Sequence, residues 1–104
     1  MITATFTEEG EKLSLRLEGH ARCAEPGKDI VCASASILAY TLASIIEAND
    51  QGSTTNLEGG DTFIECDCKD HPRAELIKNS FRFAFAGYSL LEHNYPQYVR
   101  LIKS

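Results

Sequence analysis

Apolar and polar residues alternate over two early stretches of the chain, and this pattern predicts a β-hairpin. The alternating apolar positions are Ile2, Ala4, Phe6, Leu13, Leu15 and Leu17. A period of two residues is typical of a strand with one buried face. The polar residues 7–12 between the two stretches predict the turn of the hairpin, and we expect the second strand to end near Gly19.

Two later stretches have apolar residues three and four positions apart, which is the spacing of an amphipathic helix. The first helix is expected over residues 30–48, with its apolar face at Val31, Ala35, Leu38, Leu42 and Ile45. The second has its apolar face at Ala74, Ile77, Phe81, Ala84, Tyr88 and Leu91. We expect the second helix to begin at residues 70–72, because proline is tolerated in a first turn.

The remaining stretches predict three further strands. Residues 53–68 should form two short strands joined through Gly59, Gly60 and Asp61, since paired glycines favour a turn. Residues 98–102 should form the last strand. The predicted fold class is therefore α+β, a single small domain over residues 1–104 with the order β-β-α-β-β-α-β, in which two helices pack on a mainly antiparallel sheet.

Charge and hydropathy narrow the setting in which this domain works. Ten basic and fifteen acidic side chains give a net charge of −5, which opposes direct binding to nucleic acid and favours a basic partner. The first residues lack the features of a signal peptide, and the longest apolar run, residues 37–46, is too short to span a bilayer. We therefore expect a cytoplasmic protein without membrane contact.

Four cysteines, at positions 23, 32, 66 and 68, are expected to be free thiols because the cytoplasm is reducing. Strand alternation places Cys66 and Cys68 on the same face as Ile64, the face expected to point into the core. A zinc site would need two further ligands. We therefore expect no metal and no cofactor. Cys23 lies in a predicted loop, where it is either exposed and oxidisable or incidental.

The candidate chemistry lies in a histidine and a cysteine on either side of this loop. His20 follows the second strand, and Cys32 falls in the first turn of the first helix. Unpaired backbone N–H groups and partial positive charge at a helix start favour a thiolate, whereas a carboxylate at the N-cap candidate Asp29 opposes one. A Cys–His pair could perform acyl transfer. By spacing alone, a buried helix cysteine and a solvated or structural histidine are the commoner explanation of the same residues.

The loop between them has no regular apolar period and contains Pro26 and Gly27. We expect a surface loop that can move, with Arg22, Pro26 and Gly27 near a bound peptide. Residues 21–30 would then close over an extended substrate. Ser36 falls one turn after Cys32 on the same helix flank, where it either supports catalysis or makes an ordinary helix hydrogen bond.

This region resembles a known family signature. Gly19-His20-Ala21, followed by Gly27, Asp29, Val31-Cys32-Ala33 and Ser36, is similar to the signature of the ribosomal-processing cysteine protease (Prp) family, and Tyr95-Pro96 is similar to its terminal segment. The resemblance implies a Cys–His endopeptidase with Cys32 as nucleophile and His20 as base. Gly19, Asp29 and Ser36 match further signature positions, to which we give supporting roles.

The same resemblance implies a substrate, the N-terminal extension of a large-subunit ribosomal protein, number twenty-seven. A basic ribosomal segment fits the acidic net charge of the chain. Two alternatives stay open: a non-catalytic binding or ribosome-assembly protein that uses the same cleft, and a protease of this family with a prophage target. We also expect a homodimer, because pairing would protect strand edges and exposed apolar surface.

Overall fold

A computed structural model of the chain describes residues 1–19, 30–50, 52–58 and 61–104. These residues form seven elements in the predicted order β-β-α-β-β-α-β. The elements are β1 (Ile2–Glu9), β2 (Lys12–Gly19), α1 (Ile30–Asn49), β3 (Thr54–Glu58), β4 (Asp61–Asp67), α2 (Ala74–Asn94) and β5 (Val99–Lys103).

The five strands form one sheet in the order β3-β4-β2-β1-β5. Strand β1 pairs antiparallel with β2, in a register that places Ile2 opposite Gly19, and parallel with β5, in a register that places Ile2 beside Val99. The β2–β4 and β3–β4 pairs are antiparallel. The sheet is therefore mixed and mainly antiparallel, as predicted.

Both helices pack on one face of this sheet, and the core lies between the two layers. The strands supply alternate residues, and the largest fully buried side chains of the helices and strands together are Tyr88, Leu15, Leu42, Ile46, Ile64, Ile77, Val31 and Val99. The α2 stripe is buried as predicted from Ile77 to Leu91. On α1 the buried face is turned slightly from the predicted one, because Ala39, Ala43 and Ile46 are buried while Leu38 and Ile45 are half-buried.

Helix α1 is unusually apolar for a helix in a small domain. Its length and composition would suffice to cross a membrane. Val31, Ala35 and Leu42 face the sheet, so α1 is a core helix of this fold. Other apolar side chains on it, Ile30, Ile37 and Tyr40, are exposed.

Some element boundaries differ from the predicted ones. The hairpin turn is confined to Gly10 and Glu11, because the polar residues on either side of it pair in register and extend both strands. Gly10 adopts a φ of +61°, which glycine tolerates without a steric penalty.

Helix α2 begins at Ala74, later than residues 70–72. Asp70 has a left-handed backbone (φ +54°), and the turn before the helix is closed by a hydrogen bond of 2.9 Å from the Arg73 amide to Nδ1 of His71. Pro72 lies in this turn and not within the helix. Strand β5 is displaced by one residue, to Val99–Lys103.

Candidate active site

Cys32 is the third residue of α1, so its thiol lies in the first helical turn as predicted. The side chain is half-buried and packs against the edge of the core, while its neighbour Val31 is fully buried beneath it. Backbone N–H groups in a first turn have no partner within the helix, and this first turn contains no acidic side chain. The position combines partial access with an electropositive helix end, the setting in which a cysteine can act as a nucleophile.

The start of α1 is held in place by α2. The Tyr88 hydroxyl donates a hydrogen bond of 2.6 Å to the backbone oxygen of Ala35, one turn after Cys32. Burial raises the pKa of Tyr88, so the hydroxyl keeps its proton and remains a donor. The sequence placed Tyr88 correctly in an apolar stripe, but the role of its hydroxyl was not predicted. A tyrosine at a fully buried stripe position is itself a sign that a buried acceptor lies nearby.

Close packing between the helices is set by Gly87. A Cβ atom at this position would lie 2.7 Å from Cδ2 of Leu38, closer than real carbon contacts. The absent side chain therefore lets α2 approach α1 next to the turn that Tyr88 anchors. This contact fixes the N-terminal half of α1 against α2.

Gly19 ends β2 at the same end of the domain as Cys32. Its φ is +88°, a left-handed conformation that favours glycine, and a Cβ atom here would overlap the carbonyl oxygen of Met1. The chain can therefore leave β2 toward residues 20–29 along this path because position 19 has no side chain. This gives a physical reason for glycine directly before His20.

The described residues include Cys32, Gly19 and Ser36 of the predicted site. Ser36 is half-buried one turn after Cys32, on the same flank of α1. His20, Arg22, Pro26, Gly27 and Asp29 lie outside the described residues, as does Cys23. The roles given to them from the sequence, including loop closure and N-capping, stay predictions.

The two other histidines of the chain are both described, and His71 lies far from Cys32. His71 is close to Asp50, with 3.7 Å between Nε2 and Oδ1, and Asp50 directly follows the far end of α1. Seventeen helical residues separate Cys32 from that end, roughly 26 Å at the usual rise. His93 is exposed near the end of α2, in a surface depression that also includes Met1, Pro96 and Arg100.

Two further cysteines, Cys66 of β4 and Cys68 directly after that strand, lie near the far end of α1. Cys66 and Cys68 are each 1% exposed, which confirms that they face the core. The Cys66 thiol donates a hydrogen bond of 3.0 Å to Oδ2 of Asp50. Burial, together with this carboxylate, raises the pKa of Cys66. The same hydrogen bond, with one from the Gly52 amide, lowers the pKa of Asp50. A thiol that keeps its proton in this way is a poor nucleophile.

No group of three or more His, Cys, Asp or Glu side chains in the described part of the chain is arranged to hold a metal ion. Cys66 uses its proton to bind a carboxylate, which differs from the deprotonated state that a metal ligand requires.

Fold and site together define a class: a small α+β domain with a partly exposed cysteine at a helix start, as in a cysteine peptidase. The model of the family described as cysteine protease Prp matches residues 1–100, and the chain therefore belongs to that family. A search of curated proteins finds no match.

Solved structures agree with this membership. The S. aureus ribosomal processing protease Prp with a covalently linked product peptide is 28% identical, with a TM-score of 0.79 and complete coverage of both chains. The same protease with a substrate peptide is 26% identical, with a TM-score of 0.78 and complete coverage of both chains. SMU.848 from Streptococcus mutans is 28% identical, with a TM-score of 0.73 over 99% of this chain and 93% of that one.

Proposed function

We propose that this protein is a Cys–His endopeptidase that removes a short N-terminal extension from a large-subunit ribosomal protein, number twenty-seven, in the cytoplasm. The observation that carries the proposal is the half-buried Cys32 in the first turn of α1, in a chain that belongs to a cysteine protease family. S. aureus Prp, whose structure with a substrate peptide aligns along the whole chain, supports a peptide as the substrate.

In the proposed reaction, the Cys32 thiol gives its proton to His20 and the sulfur attacks the carbonyl carbon of the scissile peptide bond. The tetrahedral intermediate collapses, the C–N bond breaks, and His20 returns the proton to the leaving amine. Water then attacks the resulting thioester, with His20 accepting its proton. The products are a new carboxylate and the regenerated thiol. No cofactor takes part in any step.

Backbone N–H groups at the start of α1 are candidates to stabilise the oxyanion, because they are not used within the helix. In this proposal Asp29 and Ser36 have supporting roles, and Gly19 lets the chain carry His20 to its position. The predicted loop, with Arg22, Pro26 and Gly27, closes over the extended peptide. Its predicted last residue, Ile30, is the first residue of α1 in the structure.

The position of His71 favours His20 as the base. The chain has three histidines, and His71 occupies a place that excludes this role. His71 lies at the opposite end of α1, and its Nδ1 accepts the Arg73 amide. His93 is exposed on α2, in the depression with Met1 and Arg100. His20 directly follows Gly19, which lies at the same end of the domain as Cys32.

The test is incubation of the purified protein with the ribosomal protein that carries its extension, followed by intact-mass spectrometry. We expect one new N-terminus, and no product with Cys32→Ala or His20→Ala, since nucleophile and base act as a unit. His93→Gln is the matched histidine control and should cleave normally. Cys68→Ala is the cysteine control, read at a temperature where all variants are folded.

The other interpretations predict different outcomes of the same experiment. A non-catalytic binding protein would associate with the extended substrate and yield no new mass. A protease with a prophage target would leave this substrate intact while still cleaving its own. Full activity of Cys32→Ala would refute the mechanism.

We also propose that the protein is a homodimer formed through the outer face of the helix pair. Phe83 and Leu90 are 71% and 63% exposed, although both are large and apolar. They lie one turn before and after Gly87, along the seam where α2 packs against α1. On α1, Ile37 is 60% exposed next to Leu38 in this seam. Large apolar side chains exposed on both sides of one helix seam are typical of an interaction site in a soluble protein.

Light scattering coupled to gel filtration tests the dimer. Phe83→Asp should shift the protein to a monomer, because a charge would be buried at the interface. Ser89→Asp places the same charge on the same helix at an exposed position away from the seam, and it should stay dimeric. A wild-type monomer at about 100 μM, a concentration far above the dissociation constants of ordinary stable dimers, would refute this proposal.

A further inference from the structure

A cavity of about 180 Å³ lies at the opposite end of the sheet from Cys32. Its walls include Phe6 from β1 and Phe81 and Phe85 from α2. Phe81 lies seven helical residues, roughly 10 Å, before Tyr88, which hydrogen-bonds to Ala35, one turn after Cys32. The cavity is therefore separate from the candidate active site.

The floor of the cavity is aromatic and well ordered by its own contacts. Phe6 and Phe85 meet edge to face with 5.2 Å between ring centroids, and Phe6 also contacts Tyr88. Phe6 and Phe81 are buried, at 7% and 5% exposure. An apolar cavity of roughly 150 Å³ is sufficient for a benzene-sized ring. The space therefore fits a single aromatic or branched aliphatic group.

Basic side chains line the same cavity. Lys103 lies with Nζ 5.6 Å from the centroid of the Phe85 ring, and Lys78 and Arg82 come from α2. Lys78 is paired with Glu11 at 2.9 Å. Within the described part of the chain, Arg82 donates to the amide oxygen of Asn79, and neither Arg82 nor Lys103 forms an ion pair with a carboxylate.

The charge around the cavity contrasts with that of the whole chain. The protein carries a net charge of −5, which repels anions at long range. At the cavity, two exposed cations without a carboxylate partner face the acidic side chain of Glu8, and Ser104, the last residue of the sequence, also lies in the lining. A ligand here would place an apolar group among the phenylalanines and an anionic group near Arg82 and Lys103.

We propose that this cavity is a second binding site, for a small carboxylate that carries one aromatic or branched apolar group. Such a carboxylate can be a free organic acid or the C-terminal residue of a peptide, and both present the same chemistry. The site is independent of the cleavage reaction proposed above, so each can fail without the other.

Three probes test the site by NMR titration of the labelled, full-length protein: phenylacetate, N-acetylphenylalanine and N-acetylphenylalaninamide. We expect the two acids to shift the amide signals of β1, β5 and the first half of α2, and the neutral amide to bind more weakly. Equal binding of both acids indicates a free organic acid, whereas stronger binding of N-acetylphenylalanine indicates a peptide C-terminus. Either result supports the site.

Substitutions of basic and of acidic residues at the cavity should change the affinity for the acids in opposite directions. Arg82→Gln and Lys103→Gln should each weaken binding of the acids about two- to fivefold, the range for exposed charge pairs. Glu8→Gln should strengthen it, because the acidic lining residue is removed. Arg100→Gln, a control on the same strand as Lys103 but outside the cavity, should bind normally. The proposal is overturned if the acids cause no shifts at the cavity, if the neutral amide binds equally well, or if the three cavity variants all bind like the wild type.

Discussion

A cysteine site lies next to each end of helix α1, and the two sites differ in burial and in hydrogen bonding. At its start, Cys32 is half-buried among backbone N–H groups that the helix leaves unpaired. At its end, Cys66 is 1% exposed and donates its proton to Asp50. The first environment favours a reactive thiol and the second preserves an inert one. The surroundings, and not the residue type, therefore decide which cysteine can do chemistry.

The largest expected difference between the two ends is in thiol reactivity. Iodoacetamide should modify Cys32 at least about 100-fold faster than Cys66 or Cys68, because the buried thiols must wait for opening of the domain. Peptide mass mapping over a time course measures each site separately. Cys23 provides a reference for simple exposure, and unfolding in urea should abolish the difference. Comparable alkylation rates for Cys32 and Cys66 in the folded protein would contradict the expected difference in reactivity between the two thiols.

The second effect concerns the backbone next to the candidate site. Gly19→Ala should destabilise the domain by about 1–3 kcal/mol, because the new methyl group meets the Met1 carbonyl and the left-handed backbone is strained. Urea unfolding measures the loss. Gly10→Ala is the matched control: it has a positive φ of 61° but nothing within 4 Å of the added Cβ, so its cost should be smaller. Equal costs would assign the effect to backbone conformation alone.

A third test compares the structural importance of the two cysteines. Cys66→Ala should lower the free energy of unfolding by about 2 kcal/mol, since it leaves a cavity and removes the donor to Asp50. Cys32→Ala should cost less, about 0.5 kcal/mol, because the side chain is half-buried. Thermal or urea unfolding of both variants measures the difference. A larger loss for Cys32→Ala would make Cys32 the structural cysteine.

Much of this arrangement could be predicted from the sequence, and for physical reasons. Strict alternation in β1 and β2 and three-four spacing in α2 identify elements with one buried face. The buried faces of these three elements were predicted correctly. The start of α2 was placed too early because a proline next to polar residues is compatible with either a first turn or a preceding turn. The hydrogen bond between the Asp50 carboxylate and Cys66 joins residues sixteen apart in the chain, a separation that local patterns do not report.

The candidate site also combines features that the sequence predicts with features that it does not. The position of Cys32 in a first helical turn followed from local periodicity. The support from Tyr88 did not, because its partner, the backbone of Ala35, is 53 residues away. Gly19 was given a supporting role by resemblance to the family, and the physical reason for it emerged with the close approach of Met1. Tertiary contacts of this kind are invisible to spacing.

The smallest expected effect is a pH dependence at the far end of α1. The hydrogen bond from Cys66 lowers the pKa of Asp50, so the carboxylate binds its proton less readily in the folded state than in the unfolded state. Its contribution to stability is therefore complete above the unfolded pKa, about 3.9, and is lost as the pH falls through the lower folded value. The difference in stability between wild type and Asp50→Asn should shrink as the pH falls below about pH 4.

Urea unfolding curves between pH 2.5 and 7 measure this difference. Asp70→Asn is the matched control, because Asp70 is an exposed carboxylate nearby. Its backbone is left-handed, and asparagine also adopts that conformation. In a Cys66→Ala background the leading cause of the lowered pKa is absent, so the acid-dependent part of the Asp50→Asn effect should become smaller. A stability difference that persists undiminished at pH 2.5 would show that the amide loses packing or geometry and not charge. In that case packing, and not the charge of Asp50, would stabilise the far end of α1. The two cysteine sites would then differ only in burial.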